Sequence, residues 1–222
     1  MLNTEFLDLP AMLVPERRAI VFEGEQYSYA QLKERVDRLA DSLNRLGLER
    51  GDRVAILEVN CNEYAEACFA TAKVGAIFVP LNFRVRQEEL TYLVNKAEPK
   101  ILFVGSRYAD MVNLARTQLA SVEHFITIDG KYEQMIGYDE LIASGSPEEK
   151  TCAEISEEDI AVLMFTAGTT GFPKGVPQDH NAYSSYVLTN VDPPDMEALP
   201  ETNVLVMPLY HVAGIQALMA GI

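Results

Sequence analysis

Between Ile160 and Val176 an apolar run, Ile160-Ala161-Val162-Leu163-Met164-Phe165, leads directly into Thr166-Ala167-Gly168-Thr169-Thr170-Gly171-Phe172-Pro173-Lys174-Gly175. Three glycines, three threonines and one lysine in ten residues suit a polyphosphate. Gly168, Gly171 and Gly175 let successive backbone N–H groups approach anionic oxygens, because no Cβ stands in the way. The hydroxyls of Thr166, Thr169 and Thr170 can donate to phosphate or help hold a hydrated magnesium ion, and Lys174 adds a mobile point charge. Pro173 restricts the loop.

The spacing is not that of the common nucleotide-hydrolase loop, G-x-x-x-x-G-K-[ST]. Phe172 and Pro173 separate Gly171 from Lys174, and glycine, with no hydroxyl for a metal, follows the lysine. The bland alternative is a glycine-threonine turn beside an edge strand.

Those ten residues resemble the phosphate loop of the adenylate-forming (AMP-binding) enzymes: acyl-CoA synthetases, peptide-synthetase adenylation domains and luciferases. Ala167 stands where serine is more usual, which removes a hydroxyl and leaves the backbone cradle. Downstream, Met207-Pro208-Leu209-Tyr210-His211-Val212-Ala213-Gly214 is similar to a second motif of the family, in the form most like the fatty- and aryl-acid CoA ligases. Gly51-Asp52-Arg53-Val54-Ala55 and Gly75-Ala76-Ile77-Phe78-Val79-Pro80-Leu81-Asn82 are similar to its scaffold stretches.

The resemblance implies activation of a small carboxylic acid with Mg-ATP, giving an acyl-adenylate and pyrophosphate, and then transfer of the acyl group to coenzyme A. It assigns the β- and γ-phosphates to Thr166, Gly168, Thr169, Thr170, Gly171 and Lys174. Magnesium would reach the protein through ATP, with Thr166 or Thr169 assisting and no metal site made by protein alone. His211 is implied as the catalytic-pocket residue, steric and polar rather than nucleophilic, with Tyr210 and Gly214 shaping the acyl pocket. His124 and His180, outside any motif, read as structural.

Composition bounds the alternatives. The 222 residues, 48% hydrophobic, can bury a sizeable core. A net charge of -15, with 33 acidic residues against 18 basic ones, argues against nucleic-acid binding and repels ATP at long range, so nucleotide recognition has to be local. Cys61, Cys68 and Cys152 form no C-x-x-C pair and read as reduced packing residues of a cytoplasmic protein. No apolar run reaches the length of a membrane span, and the N-terminus lacks a signal-like pattern.

The elements that must position these residues can be followed along the chain. Ala19–Phe22 and Gln26–Ser28 flank Glu23-Gly24-Glu25 as a hairpin. Ser28 and Gln31 form a capping box for a helix with Leu32, Val36, Leu39, Leu43 and Leu46 on its packed face and Lys33, Glu34, Asp37, Arg38 and Asp41 expected on the exposed one. Strands and helices then alternate: strands at 54–57, 77–80, 101–104 and 124–128, and helices through Val74 with Asn60 as cap, over 86–96, 108–120 and 138–143. After the phosphate loop a strand over 175–178, a helix over 181–189 and a strand over 204–207 are expected, the last carrying Tyr210 and His211 to its carboxyl end. This rhythm predicts an α/β protein with a wound, largely parallel sheet flanked by helices, the N-terminal part of the large domain of an adenylate-forming enzyme.

Three segments follow: 1–50, a hairpin and helix against a neighbouring sheet; 51–190, the wound subdomain with loop 166–175; and 191–222, a loop and the start of a second subdomain. The apolar stretch 214–222 has no helix stop, and the family's later motifs are missing. The chain is therefore expected to be the N-terminal portion of a longer ligase, inactive alone, with exposed edges that a homodimer could cover. The competing readings are a non-catalytic nucleotide-binding or scaffold remnant and a fragment of a peptide-synthetase adenylation domain.

Overall fold

A computed structural model describes residues 1–148, 154–166, 173–191 and 202–222. After helix α1 (Glu5–Leu13), strands β1 (Arg18–Phe22) and β2 (Glu25–Ser28) pair antiparallel as the expected hairpin. Glu23 and Gly24 turn it with φ of 48° and 92°, the left-handed pair that matches a tight hairpin to strand twist. Helix α2 (Tyr29–Arg45) starts on the predicted capping box: Ser28 accepts from the Gln31 N–H, and the Gln31 side chain from the Ser28 N–H.

The wound array follows in the expected order: β3 (Arg53–Leu57), α3 (Asn62–Val74), β4 (Ile77–Pro80), α4 (Gln87–Ala97), β5 (Ile101–Val104), α5 (Ser106–Ala115), β6 (His124–Thr127), β7 (Ile136–Gly137), α6 (Tyr138–Ser144), β8 (Ile160–Thr166), β9 (Lys174–Asp179), α7 (His180–Asn190) and α8 (Val212–Gly221). Seven strands form one sheet in the order β7-β6-β5-β3-β4-β8-β9, parallel throughout except for the β8–β9 hairpin at one edge. Val54, Ala55, Ile56 and Leu57 of the central β3 are fully buried, because helices cover both faces. Val54 and Ile56 pack with α2, α3, α6, α7 and α8; Ala55 and Leu57 pack with α4 and α5.

Four expectations need correction. Asp37 and Asp41 are buried, not exposed, because α1 and α3 close over one flank of α2 and α6 over another. Asp37 meets Lys33 Nζ at 2.7 Å and Lys73 Nζ at 2.9 Å, while Asp41 pairs with Arg45 and accepts the Ser146 N–H at 2.9 Å. Asn60 does not cap α3; Cys61 occupies the cap position and makes no side-chain cap bond. The helix expected over 108–120 is α-helical only to Ala115 and finishes as a 3₁₀ turn through Gln118. Residues 204–207 form no strand, since no ladder partner lies beside them among the described residues, and Val204 and Val206 stay 81% and 78% exposed. Gly75 does end α3, in the left-handed conformation. The two-residue strand β7 was too short for the sequence pattern to reveal.

Candidate active site

The order of the strands creates a crevice. The chain leaves the carboxyl end of β3 for α3 on one face of the sheet, whereas it leaves the neighbouring β4 for α4 on the other face. Connections that part in opposite directions leave an opening at the carboxyl ends, the usual ligand position in wound sheets. Here it is bordered by Glu58-Val59-Asn60 after β3 and Leu81-Asn82-Phe83-Arg84 after β4.

The segment Met207–Gly214 is held at this opening from both sides. Asn60 Nδ2 donates to the Met207 carbonyl and Asn60 Oδ1 accepts the Leu209 N–H, each at 2.8 Å. The Phe83 ring meets Tyr210 edge-on, with centroids 5.3 Å apart, and the Arg84 guanidinium lies 5.3 Å over the same Phe83 ring. His211 is the N-cap of α8 and is exposed. Its Nδ1 accepts the Ala213 N–H at 3.3 Å, which in the neutral ring places the proton on Nε2. Gly214 is buried, and a Cβ there would lie 2.1 Å from the Pro208 carbonyl oxygen, so the first turn of α8 rests directly on that backbone.

Thr166 ends β8 and Lys174 begins β9, and the two are Cα partners in the antiparallel ladder. Thr166 Oγ1 lies 3.5 Å from the Lys174 carbonyl, at the outer limit of a hydrogen bond. Gly168, Thr169, Thr170 and Gly171 lie outside the described residues. Lys174 is exposed and, among the described residues, pairs with no carboxylate. Beyond the loop, the Pro173 carbonyl accepts the Tyr92 hydroxyl at 3.3 Å, which ties the loop's far end to α4. β4 and β8 run parallel with Phe78 opposite Val162, so the carboxyl ends of both strands, Pro80 and Thr166, lie on the same edge of the sheet.

The sequence profile of the AMP-binding enzyme family matches residues 10–222. The chain belongs to this family. It is 31% identical over 212 residues to an indoleacetate–CoA ligase of Aromatoleum aromaticum, covering 96% of this chain and 41% of that protein. It is 33% identical over 215 residues to a long-chain-fatty-acid–CoA ligase of Thermus thermophilus, covering 94% of this chain and 39% of the relative. The solved structure of a Mycobacterium tuberculosis fatty acyl CoA synthetase superposes with a TM-score of 0.84 at 26% identity, over 99% of this chain and 42% of that one. This AMP-binding chain thus spans about two fifths of the length of the curated relatives it matches, and its wound sheet is the expected one.

Other chemistry-bearing side chains near the opening lay outside the motifs. Glu58 is buried at the end of β3, where burial raises its carboxyl above the usual range while the Val59 N–H and, at 3.3 Å, Arg107 draw it back. The sequence marks Asn60 only as a helix cap and does not single out Phe83; their position directly after strands that flank a crevice is the signal that finds them. Cys61 and Cys68 are free thiols, and burial raises both, Cys68 to about 12. Cys152 lies outside the described residues.

Proposed function

We propose that this chain is the N-terminal part of an ATP-dependent carboxylate–CoA ligase that forms an acyl-adenylate and then a coenzyme A thioester, and that it is inactive alone. The observation that carries the reading is convergence: the ladder partners Thr166 and Lys174 and the Phe83-supported pair Tyr210 and His211 belong to the same carboxyl edge of the sheet. One end is suited to a polyphosphate and the other to a planar organic acid.

In this reading Lys174 and the Thr166 hydroxyl, with Gly168, Thr169, Thr170 and Gly171, bind the β- and γ-phosphates and offset the negative charge that grows on departing pyrophosphate. ATP would supply the α-phosphate that the carboxylate attacks as pyrophosphate leaves, and the thiol of coenzyme A would then displace AMP from the acyl-adenylate. Thr166 or Thr169 would help hold the accompanying magnesium. His211 presents Nε2–H to the acyl carboxylate and orients it, Tyr210 walls the pocket, and Gly214 seats the helix that carries them. Long-chain and aryl acids, the substrates named for the relatives, are the classes to test.

The division into 1–50, 51–190 and 191–222 belongs to this proposal, as does a cytoplasmic location, argued from the odd cysteine count and the free thiols. No helix among the described residues is long and apolar enough to cross a membrane. The exposed Leu188, Val204 and Val206 make a homodimer part of the proposal for the chain alone.

Carboxylate-dependent exchange between ATP and pyrophosphate, run on this chain and on a longer protein containing it, tests the reading. Exchange only in the longer protein is expected. Exchange in the 222-residue chain would refute its inactivity, and none in either would leave a nucleotide-binding remnant.

A further inference from the structure

We infer that Asn60 is a positioning residue for the acyl side of the site, setting Tyr210 and His211 by bridging two backbone groups of the segment that leads into them. The inference rests on the ligase reading for its consequence in catalysis, but not for its geometry.

Met207-Pro208-Leu209 offers the Met207 carbonyl and the Leu209 N–H, and the proline between them has no N–H of its own. Among the described residues no strand pairs with this segment. The Asn60 amide meets both groups, one donor and one acceptor on a single plane, at 2.8 Å each. The partners fix its orientation, since a flipped amide would set two donors together at Leu209 and two acceptors together at Met207.

Asn60 is itself well anchored. It lies between the end of β3, where Leu57 is fully buried, and α3, which begins at Asn62. From the amide the constraint passes through Pro208, whose carbonyl accepts the His211 N–H at 3.0 Å and leaves no room for a Cβ on Gly214. Phe83 holds Tyr210 from the β4 side. The motif is therefore pinned to both strands that border the crevice, and Asn60 is its polar pin.

Aspartate at this position provides a test that plain destabilisation does not mimic. The ionised carboxylate of Asn60→Asp can accept from Leu209 but meets the Met207 carbonyl as a second acceptor; once protonated, it can donate there again. In the longer protein, Asn60→Ala is expected to lower turnover with the carboxylic acid about ten-fold while the KM for ATP stays within about two-fold. Asn60→Asp, whose carboxyl is ionised at pH 8, should match that loss there, and in both variants the loss should fall on turnover rather than on the KM for ATP.

A second readout needs no activity. The chain has three histidines, so ring NMR signals can be assigned with a His211→Gln variant. At one fixed pH, Asn60→Ala and Asn60→Asp should each displace the His211 ring signal from its wild-type position and leave those of His124 and His180 in place. Unchanged His211 signals in both variants, or equal movement of all three, would overturn the inference. A longer wild-type protein that activates no acid would remove the ligase reading, while the ring signals would still decide the placement of His211.

Discussion

The Tyr138 hydroxyl donates to Glu66 Oε2 at 2.7 Å, joining α6 to α3 inside the core. Glu66 has no exposed surface, and its other oxygen receives Arg35 Nε at 2.8 Å and Asn62 Nδ2 at 3.2 Å. Burial and the Glu66 charge together hold the Tyr138 phenol well above its usual range, so it remains a donor. Removing a donor leaves a buried charge under-solvated. Tyr138→Phe should cost about 1–2 kcal/mol and Arg35→Met about 3 kcal/mol, read as lower urea midpoints at constant slope.

Gly105 gives a steric counterpart. Its φ of -69° is open to any residue, yet a Cβ there would lie 1.3 Å from Glu58 Oε2. Gly105→Ala should therefore destabilise by about 1–3 kcal/mol through overlap alone. Adding Glu58→Ala makes room for the methyl group, so the double variant should be less destabilised than the two single costs combined, as a double-mutant cycle on unfolding free energies would measure.

His180 makes stability depend on pH. It is buried, its Nδ1 accepts the Asn3 N–H at 3.0 Å, and burial holds it below its ordinary value of 6.5, with the N-terminal ammonium adding to the effect and Asp159, Asp179 and Glu157 opposing it. Above 6.5 the ring is neutral in both folded and unfolded chains, and its contribution is complete. As pH falls below 6.5, the unfolded chain takes up the proton first, so stability declines until the folded value is passed. His180→Asn keeps an acceptor and cannot titrate; unfolding measured between pH 5 and 8 should show a wild-type slope that the variant lacks.

Lys174 should separate function from stability. Exposed, and without a carboxylate partner among the described residues, it can become methionine with less than about 0.5 kcal/mol change in unfolding free energy. The same substitution in the longer protein should lower ATP–pyrophosphate exchange by about a hundred-fold, with Thr166→Val smaller in effect. Equal exchange in wild type and Lys174→Met would detach the lysine from phosphate binding.

Local rules wrote much of this fold into the sequence. The Ser28–Gln31 box and the leucine spacing of α2 involve near neighbours only, and the apolar runs of β3, β5 and β6 need only be buried on both faces. Distant partners were what local rules lost. Asp37 looks solvated until Lys73 arrives from α3, and residues 204–207 have the composition of a strand but, among the described residues, not the neighbour that would make them one. Asn60 reads as a helix cap, although its actual partners, Met207 and Leu209, lie 147 and 149 positions downstream. At the site, the motifs marked Tyr210 and His211, but not the crevice residues that hold them.

The antiparallel edge of the sheet also bears on how the chain folds. β8 and β9 are adjacent in sequence and can zip together early, whereas β8 joins the parallel strands only through β4, where Phe78 pairs with Val162, 84 residues later in the chain. Closing so long an interval is slow compared with forming a hairpin. Thr166 and Lys174 can thus be matched as ladder partners before the hairpin docks, making its arrival beside β4 a late folding event.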